Sequence, residues 1–387
     1  MRLARVFTLL VVAILVAVIA YIAAPYARAA SLFVRVGNVG GRVEAVADAS
    51  ARPVTVSPRH MVATRQGDVE AQFYRPEGRV HRSVLLVPGV HSMGIAEPRL
   101  TALARDLAGS GVAVMAMALP DLMAYQITAR SADVIEDAVA WMAAQPELAP
   151  DGRIGMIGIS FAGGLSIVAA GRPAIRDQVA YVVSFGGHGD LGRVLHYLAT
   201  GEAVRAPGVA TIPPHDYGVA VILYAAADRM VPPEQVAPLR SGIGTFLLAS
   251  QLTLVDMKQA NATFAKARDM VKQIPEPSAT YLTYVNDRNV KALGPILVPH
   301  LGMQADPAAS PERAASLPAA PVFLLHGDED TVIPAAESVV LGNYLRSKGV
   351  DVRVLLSEII THAELDRSAA VAESWKVIAF WADILRR

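Results

Sequence analysis

Short, largely apolar runs recur along the chain at residues 83–87, 112–118, 153–157, 179–184, 321–326 and 352–356. Runs of this length, bounded by glycine, proline and aspartate, read as strands buried on both faces. Between them the period changes. Leu100, Leu103, Ala104 and Leu107 follow the i, i+3, i+4, i+7 spacing of an amphipathic helix, and Ile135, Ala138, Val139 and Met142 repeat it after Ser131, a suitable N-cap. A further helix is expected up to about Lys348, with Leu341 and Leu345 four apart. The last carries Val371, Trp375, Ile378, Ala382 and Leu385 on one face, and these stripes read as core. Two earlier strands are expected near residues 59–64 and 69–74. Strands alternating with helices predict an α/β class with a doubly wound, mostly parallel sheet.

One pattern stands apart. From Val6 to Ala24 the chain has no charge, and Arg2 and Arg5 precede this stretch. As a helix it spans about 28 Å, close to a bilayer's hydrocarbon core. Ala27-Arg28-Ala29, after Pro25, offers a cleavage site for a secretory signal, but the apolar stretch is longer than usual for one, which favours an uncleaved single-pass anchor. Arg2 and Arg5 favour a cytoplasmic start, a bias weakened by Arg28 and Arg35 beyond the span. Anchored or secreted after cleavage, the remainder is expected outside the cytoplasm. Residues 1–29 therefore read as anchor or signal and 30–57 as a tether.

The chemistry-bearing residues sit where strands end. Gly158-Ile159-Ser160-Phe161-Ala162-Gly163-Gly164 follows the run 153–157 and opens an apolar helix. This is the pattern of a nucleophile elbow, in which the residues two before and two after the serine must be small. Gly158 and Ala162 meet that demand. Read blandly, Ser160 is only a helix N-cap. His326-Gly327-Asp328-Glu329-Asp330-Thr331-Val332-Ile333-Pro334 follows the run 321–326, and Thr361-His362-Ala363 follows the run 352–356. Asp330, read blandly, caps a helix, and His362 is a polar loop residue. The three together, each after a strand and in the order Ser, Asp, His, favour catalysis.

At this point the chain resembles the α/β-hydrolase superfamily, over residues 62–186 and 321–387, and most closely its dienelactone-hydrolase-like and peptidase-like serine esterases. The signature His-Gly-x-x-Asp-x-x-Val-Pro is matched by His326-Gly327, Asp330 and Ile333-Pro334, with isoleucine in the valine position. The resemblance implies Ser160 as nucleophile, His362 as base and Asp330 as the acid that orients it. The backbone N–H groups of Phe161 and Val90 would form the oxyanion hole. Asp228 is the alternative acid, because residues 219–224 followed by Asp228-Arg229-Met230-Val231-Pro232 imitate a strand and an Asp-x-x-Val-Pro turn. It lacks the preceding His-Gly. Asp328 is a weaker competitor. His188, in Gly186-Gly187-His188-Gly189-Asp190, and His91, beside the oxyanion loop, are candidates for contacting substrate.

Ser160 and Asp330 stand 170 positions apart, more than the sheet requires. Residues 187–320 read as a mainly helical cap with a return linker, between core segments 58–186 and 321–387. Its helices are expected over 191–198 and from 232 to about 274. If residues 219–224 form a strand, the insertion is shorter. An interaction or membrane-facing subdomain is the rival reading.

Composition changes little. Thirty-five basic and thirty-five acidic residues balance, so nothing suggests nucleic acid. Cysteine is absent, excluding disulfides and thiol chemistry. The remaining histidines, His60, His81, His196, His215 and His300, are scattered, and no dinucleotide or Walker loop occurs, so neither metal nor cofactor is expected. The expected partners are a small-molecule ester or acyl substrate and the membrane. A peptidase, thioesterase or acyltransferase would use the same triad, and a non-catalytic binding module remains as an alternative.

Overall fold

The structure is a computed structural model that describes residues 2–80, 82–210, 212–253, 255–303, 305–361, 364–365 and 371–387, with residues 2–13, 303, 361, 364–365 and 371–372 described by their backbone alone. Among the described residues nine strands form one sheet: β1 (Val54–Val56), β2 (His60–Thr64), β3 (Gly67–Pro76), β4 (Ser83–Val87), β5 (Ala113–Met117), β6 (Ile154–Ile159), β7 (Val179–Phe185), β8 (Val322–Gly327) and β9 (Val352–Ser357). Their order is β1-β3-β5-β4-β6-β7-β8-β9, with β2 paired to β3. β3 runs antiparallel to β1, β2 and β5, and every pairing from β5 to β9 is parallel. This mostly parallel sheet, flanked by helices, is the doubly wound arrangement expected from the sequence.

The helices before the nucleophile turn are α1 (Arg2–Val36), α2 (Gly41–Ser50), α3 (Pro98–Gly109), α4 (Pro120–Met123) and α5 (Arg130–Ala143), and α6 (Phe161–Gly171) follows it. Between β7 and β8 lie α7 (Leu191–Thr200), α8 (Tyr217–Met230), α9 (Pro233–Leu252), α10 (Met257–Met270), α11 (Ser278–Asn286) and α12 (Val290–Leu297). α13 (Ala336–Ser347) and α14 (Val371–Ile384) complete the chain. Because side chains alternate along a strand, each strand feeds two cores. Leu85 and Val87 of β4 face α5 and α6, whereas Val84 and Leu86 face α1, α3 and α14.

Four expectations change. Residues 219–224 are helix, within α8, not strand. An apolar hexapeptide is ambiguous by period alone. The sheet decides it, because β7 and β8 pair directly, Val182 opposite Val322, leaving no slot between them. Ser131 lies inside α5 rather than capping it. Residues 30–57 are not a loose tether: they hold the last turns of α1, then α2, then β1. Ala29 and Leu32 are buried against the sheet. Trp375, expected as core, is 56% exposed and instead stacks on Tyr26 of α1 at 5.6 Å.

Candidate active site

The chain runs outward from β4 to β5 on one side and returns to β6 on the other, so the direction of winding reverses between β4 and β6. Crevices at such switch points, beyond the carboxyl ends of the strands, are where α/β folds bind ligands. Val87 of β4 is paired with Gly158 of β6, which sets residues 88–91 beside Ser160.

Ser160 connects β6 to α6 at φ 55°, ψ −133°, a conformation that costs a residue bearing a Cβ. Its N–H donates to the Phe185 carbonyl at 2.7 Å, and its own carbonyl accepts from Gly163 N–H at 2.7 Å. The turn is tight enough to exclude side chains around it. A Cβ at position 158 would lie 2.4 Å from the Ala162 carbonyl oxygen, and one at position 163 would lie 2.3 Å from Ser184 Oγ. The side chain of Ser160 makes no capping hydrogen bond to α6, which removes the bland reading of this serine. Phe161 is the first residue of α6, where a helical N–H has no partner within the helix. On the opposite side Gly89 comes so close that a Cβ there would sit 3.1 Å from Ser160 Cβ.

Ser160, Val90 and His91 line one cavity of about 450 Å³. A second, of about 420 Å³, shares Val90, His91, Arg99 and Tyr217 with it and extends between the acid loop and helices α8 and α9. His91 is half-buried, and its Nδ1 accepts from Met93 N–H at 3.1 Å. Burial lowers its pKa, with Glu97 opposing and Arg99 adding to the effect. Burial thus favours the neutral form of this imidazole in the cavity it shares with Ser160.

Asp330 follows β8 and is buried. Its Oδ1 accepts from the N–H groups of Val332 at 2.8 Å and Ile333 at 3.0 Å. The turn is braced by His326, buried on β8, whose Nδ1 pairs with Ser338 Oγ at 2.7 Å and whose Nε2 meets the Ile333 carbonyl at 2.8 Å. Burial, and then the negative charge of Asp330, raises the phenol pKa of both Tyr197 and Tyr217. Tyr217 lines both cavities, so the Asp330 charge is felt at the wall of the Ser160 cavity. His362 lies outside the described residues, as does His81.

Other candidates are placed elsewhere. Asp228 lies on α8, half-exposed, 3.3 Å from Arg240 and 3.6 Å from Arg229. It lines a third cavity with those arginines rather than either cavity beside Ser160. Asp328 is pushed up by burial and by Glu358 and Glu373, and it borders neither cavity. His188 is not a substrate contact in this structure. It is fully buried, its Nε2 meets the Ala309 carbonyl at 2.9 Å and its ring packs on Phe161 at 5.6 Å. A Cβ at Gly164 would lie 2.4 Å from it, so the close approach of α6 locks the ring. Among the described residues no group of three or more potential metal ligands occurs.

Several lining residues carried no sequence signal. Tyr217 joins the two cavities. Tyr125, at φ 57°, buries its hydroxyl beside Ser92 and Gln251, and burial raises its pKa. Ser92 Oγ donates to Gln251 Oε1 at 3.0 Å, tying the loop after β4 to α9. Arg35–Asn38, at the end of α1, also border the Ser160 cavity. None of these positions belongs to a motif, and only tertiary contact brings them to the site.

No family model matches the chain, and no curated protein matches it either. Solved structures do. A hyperthermophilic esterase from the archaeon Pyrobaculum calidifontis is similar at 15% identity and a TM-score of 0.48, covering 93% of this chain and 90% of that one. Brefeldin A esterase, a bacterial homologue of human hormone sensitive lipase, is similar at 16% identity and 0.47, covering 87% and 79%. An acylaminoacyl peptidase of Pyrococcus horikoshii is similar at 13% and 0.45, covering 87% of this chain and 42% of the peptidase. These likenesses do not carry the functional argument, which rests on the chain's own geometry.

Proposed function

We propose that the protein is a membrane-anchored serine hydrolase that cleaves a carboxylic ester through an acyl-enzyme on Ser160. The observation that carries the reading is Ser160 itself: a strained, non-capping serine held at the sheet's switch point and opening into a cavity. Strain of this kind persists where surrounding structure enforces it, and it clusters at functional sites.

In the proposed mechanism His362 takes the Ser160 proton as Oγ attacks the ester carbonyl carbon. The oxyanion is held by the N–H groups of Phe161 and Val90, each worth about 10²–10³ in rate. Asp330 orients the histidine and stabilises its charged form. The protonated histidine then gives its proton to the departing alkoxide, leaving the acyl group on Ser160. Water then attacks that acyl carbonyl with the histidine again as base, and the histidine returns the proton to Ser160 Oγ as the acyl–oxygen bond breaks, releasing the acid. Helices α7–α12 serve as the cap, of which α8 and α9 wall the second cavity, limiting water.

The anchor reading gains support from packing. The described side chains include one helical stretch, Ile14–Val36, long and apolar enough to cross a membrane. Ile14, Leu15, Ile19 and Ile22 are exposed, while Ala29, in the signal-cleavage motif, is fully buried. Residues on both sides of that motif, Leu32 and Arg35 among them, pack on the body and continue one helix with the apolar span, and we read the helix as retained, with the catalytic part outside the cytoplasm.

Labelling with a fluorophosphonate probe, which reacts with activated serines, tests the proposal. Wild type is expected to label and to hydrolyse short p-nitrophenyl esters, and Ser160→Ala to do neither. A folded wild type that does not label would overturn the nucleophile reading. Acyl transfer to an alcohol or amine in preference to water would instead make it an acyltransferase.

A further inference from the structure

The wall of the Ser160 cavity is not made by the α/β body alone. Arg35, Val36, Gly37 and Asn38, the end of α1 and the turn after it, border the cavity together with Leu100 and Leu103 of α3. This end of α1 is firmly held. Arg35 is buried and donates to Asp106 Oδ1 at 3.0 Å, to the Asp106 carbonyl at 2.9 Å and to Ser110 Oγ at 2.9 Å, all at the end of α3. Leu32 is buried one turn earlier, and Asn38 adopts φ 45°, a left-handed turn that sends the chain back towards α2.

The charged groups of this cavity are paired with one another. Arg35 is paired with Asp106, and Glu97 with Arg99 at 2.7 Å. Asn38, His91 and Tyr217 add polar atoms beside Ser160, and the larger share of the lining is apolar, with Val36, Leu100, Leu103, Ile159 and Phe185 contributing to it. Where Val36, Leu100 and Leu103 meet, the cavity takes an apolar group, because burying an unpaired polar one there would cost its hydration.

We infer that the docked end of the anchor helix is a specificity-determining wall of the catalytic cavity, and that this lobe receives an apolar chain of the ester. The inference rests on the reading of Ser160 as nucleophile. It gives α1 two roles in one rigid element. Its exposed apolar half meets the bilayer, and its last turn, about 21 Å further along the helix from Ile22 to Val36, shapes the substrate site.

The test uses the full-length chain in detergent and compares kcat/KM for p-nitrophenyl octanoate with that for the acetate. Val36→Trp narrows the lobe from the anchor side, and Leu103→Trp narrows it from α3. Both are expected to lower the octanoate-to-acetate ratio at least about tenfold, mainly through KM, since a pocket feels even one methylene by about 10–200-fold. Val36→Ala, which enlarges the lobe, is expected to raise relative activity on the dodecanoate and covers the case in which Val36→Trp fails to fold. A ratio that moves with Leu103→Trp but with neither Val36 variant would overturn the role of α1. A ratio that moves with none of the three would overturn the apolar lobe itself. A wild type that neither labels nor hydrolyses removes the nucleophile reading and this inference with it, an outcome distinct from the other two.

Discussion

Replacing Ser160 by glycine and, separately, by alanine divides the strain of the elbow from the chemistry of its hydroxyl. Both variants lose Oγ, and neither loses a cap, because the side chain makes no capping hydrogen bond. They differ in whether a Cβ must occupy φ 55°, ψ −133°. A strained backbone of this kind costs about 1–3 kcal/mol when a Cβ is present. Glycine offsets part of the relief, about 0.5–1 kcal/mol, through the greater freedom of its unfolded chain. Ser160→Gly is therefore expected to be more stable than Ser160→Ala by up to about 2.5 kcal/mol, with about 1 kcal/mol as the central value, while both are inactive. A difference of 1 kcal/mol moves the midpoint of a 150–250-residue domain by about 2–4 °C, and a larger chain by less, so a gap of about 1–3 °C is the expected reading. The assay is thermal unfolding of the full-length protein in one detergent, followed by the fluorescence of its three tryptophans. An alanine variant that melts at or above the glycine variant would refute the claim that the elbow stores strain.

Gly158→Ala places a methyl group against the Ala162 backbone oxygen, which cannot rotate away. We expect about 1–3 kcal/mol of destabilisation and loss of fluorophosphonate labelling; a normally labelled variant would contradict the tight turn. Asp330→Asn is expected to lower kcat by about 10⁴-fold, the size seen elsewhere when the orienting acid of a triad loses its charge, whereas Asp228→Asn, on the far side of α8, leaves kcat unchanged; the reverse result would exchange their roles. Glu337 is buried on α13 and accepts from the N–H groups of Gly189 and Asp190 and from Arg193. Glu337→Ala leaves the buried N–H groups of Gly189 and Asp190 without their acceptor, while Arg193 keeps Glu312, and should cost about 1–3 kcal/mol in denaturant unfolding; no measurable loss would argue against the network. His188 is kept neutral by burial, so its folded pKa lies below the unfolded value of about 6.5. Its contribution is complete above pH 6.5 and declines as the pH falls below it, because the unfolded chain binds the proton first. Asp190 acts in the same direction at lower pH: burial raises its pKa, but the Arg193 N–H bond and Arg313 outweigh this and depress it. His188→Gln should flatten the stability profile below about pH 6.5; an unchanged slope would disprove the assignment.

Much of the sheet could be read from the chain. The runs at 83–87, 112–118 and 179–184 became β4, β5 and β7 with ends shifted by at most one residue. A strand buried on both faces leaves a continuous apolar signature that few other elements produce. The acid loop was legible for a similar reason, since His326, Asp330 and Ile333 act within one local turn whose hydrogen bonds close over seven residues. Residues 219–224 were misleading because a short apolar run fits a strand or a buried helix equally well. His188 was misplaced because its position after β7 predicts the edge of the crevice, whereas its side chain turns under α6.

The sequence by itself determined the alternation of strands and helices, the serine in its small-residue turn, the acid after a later strand, and the uncharged stretch at the N-terminus. These are local properties: period, steric demand at one turn, and the length of an apolar run. Only the tertiary structure decided which residues surround the serine. β7 pairs directly with β8, which excludes a strand from α8 and turns Asp228 away from the site. The last turn of α1 docks on α3 through Arg35 and Asp106, residues 71 positions apart, and so becomes part of the cavity wall. Contacts of that range depend on how the whole chain packs, and no window of sequence contains both partners.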